Sequence, residues 1–97
     1  MLNQTKGWSL EIIKQVWIKA KPAGIANEAK GFRRDVCGAW IQLNQYGNRD
    51  SVYGWEIDHI VPSSLGGSDA LTNLQPLHWR NNAEKGDSVV LKCAIGS

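Results

Sequence analysis

Residues 54–87 read GWEIDHIVPSSLGGSDALTNLQPLHWRNNAEKGD, and the punctuation of this stretch decides the fold. WEIDHI is rich in β-branched and aromatic residues and predicts a strand, with Trp55, Ile57 and Ile60 as its buried set. PSSLGGSDALT is a loop in which Gly66-Gly67 permits positive φ and a tight reversal. NLQPL predicts a second short strand, and Pro76, which has no N–H to give a neighbour, puts it at an exposed edge. HWRNNAEK has room for about two helical turns, with Gly86 as the C-cap. Asp58 and His59 are the anomaly. They stand side by side in a core-forming segment, where a polar group without a partner costs about 2–7 kcal/mol. Either partners arrive from elsewhere in the chain or the pair lines a site.

Two strands and one helix bury too little surface to be stable alone, so the rest of the chain must cover them. Residues 10–20, LEIIKQVWIKA, place Leu10, Ile13, Trp17 and Ala20 at helical spacing behind Ser9 as N-cap, and Pro22 and Gly24 end that helix. Residues 21–36 read as an irregular polar connection, GAWIQL (38–43) as a short strand, and NQYGNRDSVYG (44–54) as turn or loop. The tail from Ser88 to Ser97 is open between a strand and a loose segment. The class is α+β: one domain over residues 1–97, with a motif core at 55–87 and a helical N-terminal extension over 1–36.

Composition narrows the function only a little. The formal charge is +2, from eleven Lys and Arg against nine Asp and Glu, which suits a nucleic-acid partner without requiring one. Five tryptophans in 97 residues point to large aromatics filling a small core. The two cysteines, Cys37 and Cys93, have no C-x-x-C mates, so they are expected as free thiols in a reducing cytoplasm. The start, MLNQTKGWSL, lacks a long apolar run, and no segment is long enough to span a bilayer, so a cytoplasmic protein is expected.

The run from Asp58 to Asp87 resembles the HNH motif of the ββα-metal, or His-Me finger, nucleases. Asp58-His59, Pro62, Gly66-Gly67, Asn73-Leu74, Asn82 and Lys85 carry the resemblance. The intervals of fourteen residues from His59 to Asn73 and nine from Asn73 to Asn82 look like those of the HNH domains of RNA-guided CRISPR nucleases. GWEIDHI and LQPLHWRNN extend the likeness to small stand-alone phage and bacterial HNH proteins. The resemblance implies two short antiparallel strands and a helix, with the N-terminal helix packed on them, and a metal-dependent endonuclease acting on DNA.

The same resemblance implies roles. His59 is the general base; an imidazole with an unperturbed pKa of about 6.5 is largely neutral above pH 7 and takes a proton from water. One ring nitrogen must then be held as a donor, ordinarily by a backbone carbonyl. Asp58 and Asn82 supply hard oxygen ligands to one divalent ion, Mg²⁺ or Mn²⁺. Strict alternation sends Asp58 and His59 to opposite faces, so the strand must end or twist there. Asn73 ties the loop backbone and so fixes the strand end of His59. Lys85 and Arg80, with Arg33 and Arg34, are candidates for phosphate contact, and Lys30 is a looser one. Many relatives hold a structural zinc through paired cysteines around the helix and before the first strand. No structural zinc is expected here, and packing of Trp40, Trp55 and Trp79 should replace it. His78, one helical turn before Asn82, is either a metal ligand or the maker of a structural hydrogen bond. Two rival readings stand beside the nuclease: a DNA-binding module that cuts nothing, and a subunit active only within a larger phage packaging or restriction complex.

Overall fold

The strand marked by WEIDHI forms over Trp55–His59 and pairs antiparallel with Leu74–His78, in the register Trp55↔His78 to His59↔Leu74. In the computed structural model, which describes residues 7–96, the element order is α1 (Leu10–Trp17), α2 (Ile25–Ala29), β1 (Phe32–Arg34), β2 (Trp40–Gln42), β3 (Trp55–His59), β4 (Leu74–His78) and α3 (Trp79–Lys85). The architecture is a small α+β assembly of two separate two-stranded antiparallel sheets, β1-β2 and β3-β4. Ile60 falls beyond the end of β3 and is 38% exposed, so the strand is one residue shorter than its apolar pattern suggests.

The core lies between α1 and the β3-β4 hairpin. Trp55, Ile57 and Leu74 pack against Val16, Trp17 and Ala20, with Ile12 and Ile13 alongside. The apolar stripe of α1 is thus turned by about one residue from the expected one, and Leu10 is left outside, 65% exposed. Ser9 caps α1 as expected, accepting from the Ile12 amide at 3.1 Å. The helix stops at Trp17, and Lys19 and Ala20 complete a tighter turn by bonding the carbonyls three residues back.

Three expectations need correction. Residues 21–36 are not irregular. Glu28 Oε2 accepts from the amides of Ala23 and Gly24 at 3.1 and 3.2 Å, which starts α2, and Phe32–Arg34 then pairs with Trp40–Gln42. Pro76 sits on a strand with no third neighbour, yet it is buried rather than exposed. Cys37 and Cys93 are not free thiols but form a disulfide that ties the C-terminal tail back to the turn between β1 and β2. The ground for assigning a reducing compartment goes with it. No described helix is long and apolar enough to cross a membrane.

The clamp between the segment before β3 and α3 is also not the expected tryptophan packing. Trp55 is in the core, but Trp40 is 37% exposed. The clamp is Asp35, wholly buried: Oδ1 accepts from the amides of Cys37 and Ala39, and Oδ2 from the His78 amide and Asn81 Nδ2, all four at 2.9 Å. Four donors on one carboxylate offset its desolvation. Asn81 then holds the tail, its amide bonding both N and O of Ile95 at 2.9 and 3.0 Å. The tail is therefore neither a strand nor loose.

His78 does not begin α3 but caps it. Its Nδ1 accepts from the Arg80 amide at 3.0 Å, and Nε2 donates to the Val52 carbonyl at 2.8 Å. Both bonds require a neutral ring. Burial lowers the His78 pKa; the Val52 carbonyl and the Asp35 and Glu56 carboxylates oppose that shift, while Arg80 adds to it.

Two predictions follow from this clamp. Because the folded pKa of His78 lies below the unfolded value of about 6.5, the unfolded chain binds the proton first. The contribution of the neutral ring is therefore complete above that value and is lost as pH falls below it. Melting temperatures should decline in acid from about pH 6.5, with a shallower decline in His78→Gln. Separately, the disulfide closes a loop with a sequence separation of 56, and cross-links of this kind contribute about 2–4 kcal/mol. Reductant should lower the melting temperature by on the order of 10 °C, while chelator alone should leave the transition cooperative.

Candidate active site

Asp58, His59 and Asn82 line one open cleft of about 340 Å³, together with Arg49, Ser63 and Asp87. Alternation would separate Asp58 from His59, but β3 ends at His59, and both residues border the cleft. The sequence question of how both residues reach one site is answered by a strand end.

Asp58 is 5% exposed, and its charge is answered from two sides. Lys85 Nζ lies 3.1 Å from Oδ1, and Gln75 Nε2 donates to Oδ2 at 3.0 Å from the paired residue of β4. Lys85 also donates to the His59 carbonyl at 2.9 Å. Its side chain is only 1% exposed, so the ammonium is turned inward and braces the two motif residues. That departs from the expected phosphate contact: the face of α3 carrying Lys85 is packed on β3.

Asn82 is set by a second buried carboxylate. Glu56, wholly buried two residues before Asp58, is bound bidentate by Arg49 at 2.6 and 2.8 Å and accepts from Asn82 Nδ2 at 2.8 Å. The hydrogen bond to Glu56, more than their mutual attraction, raises the Arg49 pKa further. An ionised carboxylate only accepts, so the amide nitrogen of Asn82 must face it and Oδ1 points away from it. Among the described residues that oxygen has no hydrogen-bond partner.

Asn73 ties the loop. Its Oδ1 accepts from the Val61 amide at 2.8 Å, and its Nδ2 donates to the carbonyls of Val61 and Ser68 at 3.0 and 2.8 Å. Gly67 makes the tie possible: a Cβ there would lie 1.7 Å from the Val61 carbonyl oxygen. Gly66, at φ 90, supplies the reversal. His59 Nε2 is held not by a backbone carbonyl but by Asp69 Oδ1 at 2.7 Å, and Trp8 lies against the ring with centroids 5.7 Å apart.

The basic candidates divide. Arg80 is exposed on α3, its guanidinium 5.0 Å from the Trp79 ring centroid. Arg34 stacks on Trp40 at 5.1 Å. Arg33 is committed to the fold, donating to the carbonyls of Ile18 and Ala20 at 3.2 and 3.3 Å and pairing with Glu28 at 3.5 Å. The sequence reading missed Glu56, Arg49, Gln75 and Asp69. Glu56 was within reach, since a residue two before Asp58 on a strand shares its face; nothing in the local pattern singles out Asp69.

The donor chemistry of the cleft fits a hard cation. Asp58 keeps lone pairs beyond those its partners use, and Asn82 presents an amide oxygen; oxygen donors suit Mg²⁺ or Mn²⁺, whereas zinc favours nitrogen and sulfur. Among the described residues no group of three or more His, Cys, Asp and Glu is placed to hold a metal. Any ion here must draw on few protein ligands.

The buried pair yields a stability test. Lys85→Met strands the Asp58 carboxylate, and breaking such a pair costs about 3–5 kcal/mol. Urea titration should register that loss, while the exposed neighbour Glu84→Gln should stay within about 0.5 kcal/mol of the parent.

Comparison with known families gives one match. The model of the HNH endonuclease family matches residues 36–88, from the residue after Asp35 to just past α3. No curated protein and no solved structure matches the chain. The match takes in more than half of the 97 residues and contains β3, β4, α3 and the cleft. The chain belongs to the HNH endonuclease family.

Proposed function

We propose that this chain is a metal-dependent endonuclease of the ββα-metal type that hydrolyses phosphodiester bonds in DNA, with His59 as general base and Asp58 and Asn82 as the protein ligands of one divalent cation. One observation carries the reading: the three residues border a single cleft although they come from a strand end and a separate helix. A bound Mg²⁺ or Mn²⁺ would neutralise charge on the phosphate and on the leaving 3′ oxygen.

The remaining chemistry belongs to the chain. With Nε2 occupied, Nδ1 is the ring nitrogen left to accept a proton from water. Water so activated attacks the phosphorus, and the resemblance gives 5′-phosphate and 3′-hydroxyl products. Asp58 is held in place by Lys85 and Gln75, and Asn82 by Glu56, so neither oxygen has to be ordered when substrate arrives. Asn73 keeps the loop after His59 in one conformation. Arg80 and Arg34, at or near the surface, are the candidates for backbone phosphates, and such contacts position DNA without reading its sequence.

Incubation with supercoiled plasmid, with and without Mg²⁺ or Mn²⁺, tests the activity. His59→Ala should lower the cleavage rate by about 10²–10⁴-fold while leaving the melt and metal binding nearly unchanged. Comparable nicking by that variant would remove His59 as the base. Asp58→Asn and Asn82→Ala should each weaken the dependence on metal, and the double variant should lose little more, since residues serving one ion act as a unit. Asn is chosen at position 58 because, unlike alanine, it keeps an oxygen that can accept from Lys85. Independent, multiplicative losses would argue against a shared ion. A folded protein that binds plasmid but never cuts it would favour the non-cleaving module.

A further inference from the structure

The side chain of Asp69 is 75% exposed and belongs to no element, yet its Oδ1 stands 2.7 Å from Nε2 of a His59 side chain that is only 13% exposed. An ion pair open to water on one side adds little to stability. The loop nevertheless goes to some length to present it. Asn73 bonds the Ser68 carbonyl at 2.8 Å and both polar groups of Val61, and Gly67 donates to the Pro62 carbonyl at 3.0 Å. Ser68 Oγ accepts from the Ala70 amide at 3.2 Å. These bonds lie on either side of Asp69 and join its loop to the segment that leaves β3.

We infer that Asp69 is the positioning residue of His59: its carboxylate fixes the ring as the Nε2–H tautomer and orients it, leaving the Nδ1 lone pair for the water. The inference rests on the reading of His59 as the base. Its chemistry is that of acceptor and donor alone. An ionised carboxylate can only accept, so the neutral ring must place its one proton on Nε2. Rotation of the ring about its bond to Cβ would break that contact, and Trp8 packs against the ring as a further restraint. A histidine with its donor side tied and its acceptor side open is the arrangement proton abstraction requires. Asn73 acts one step further back, because the loop it closes carries Asp69.

The test uses the full chain and two readouts. Nitrogen-15 shifts of the neutral ring, read at the alkaline end of a pH series, report the tautomer; with two histidines in the chain, His78 is the internal reference. The parent protein should show Nε2 of His59 fully protonated, and Asp69→Ala should relax towards the mixture of free histidine while His78 stays unchanged. In plasmid cleavage, Asp69→Ala should lower kcat by on the order of 10²-fold, the cost of a misplaced catalytic group, with KM and the melting temperature unmoved. Asp69→Glu, which keeps an acceptor-only carboxylate on an exposed stem, should recover most of the rate and the single tautomer. A parent ring that is already mixed, or an Asp69→Ala variant with both tautomer and kcat unaltered, overturns the assignment. If the parent cuts no DNA yet its ring loosens in Asp69→Ala, the hydrolytic reading falls and the placement of the ring by Asp69 stands.

Discussion

A carboxylate that is 5% exposed needs its charge answered, and Lys85 answers that of Asp58 from the last turn of α3 while bonding the carbonyl of His59. This one ammonium therefore fixes where α3 lies against β3 and where the strand end points. Asn82, one turn earlier on the same helix, is then in place to meet Glu56. Without the pair, Asp58 could be buried only by protonation or at a cost of several kcal/mol. The dependence runs from electrostatics to geometry.

The same device recurs at the other end of the short helix. Asp35 gathers donors from its own turn, from the end of β4 and from α3, and Asn81 passes the connection on to the tail. The disulfide closes the same circuit covalently. Small domains of this length bury too little apolar surface to be generous with polar residues in the interior. Here the interior polar residues are nonetheless numerous, and each of Asp35, Glu56 and Asp58 joins α3 to the elements beside it. In this chain carboxylate hydrogen bonds join these segments.

How far the sequence was legible follows from which interactions are local. The strand at WEIDHI, the loop reversal at Gly66, the cap at Ser9 and the short helix before Gly86 depend on residues a few positions apart, and they could be read. The turned stripe of α1 could not, because which side of a helix faces the core is decided by the hairpin it meets. Motif spacing brought Asp58, His59 and Asn82 into one cleft, and it did so because intervals within a strand-loop-strand-helix unit are geometric quantities. It said nothing of Asp69, ten residues from His59 in an irregular loop, or of Cys37 finding Cys93. It also misjudged Lys85, for a lysine on a short helix reads as surface until the carboxylate beneath it is known.

The charge balance of the cleft bears on what can enter it. Asp58 is matched by Lys85 and Glu56 by Arg49, so two buried carboxylates contribute almost no net charge at the site. Asn82 presents a neutral amide, and the remaining carboxylate of the cleft, Asp87, is exposed, where solvent and salt screen it. A phosphate can therefore approach without the repulsion that two unpaired buried carboxylates would raise. The same balance leaves little unanswered negative charge to bind a cation by attraction alone. An ion held by one shared carboxylate and one amide would be weakly held in the free protein, and an incoming phosphate would add the oxygen and the charge that the chain does not supply. On the proposed reading, pairing of the buried charges thus favours a site in which cation and phosphate strengthen each other's binding over one that holds a tightly bound resident metal.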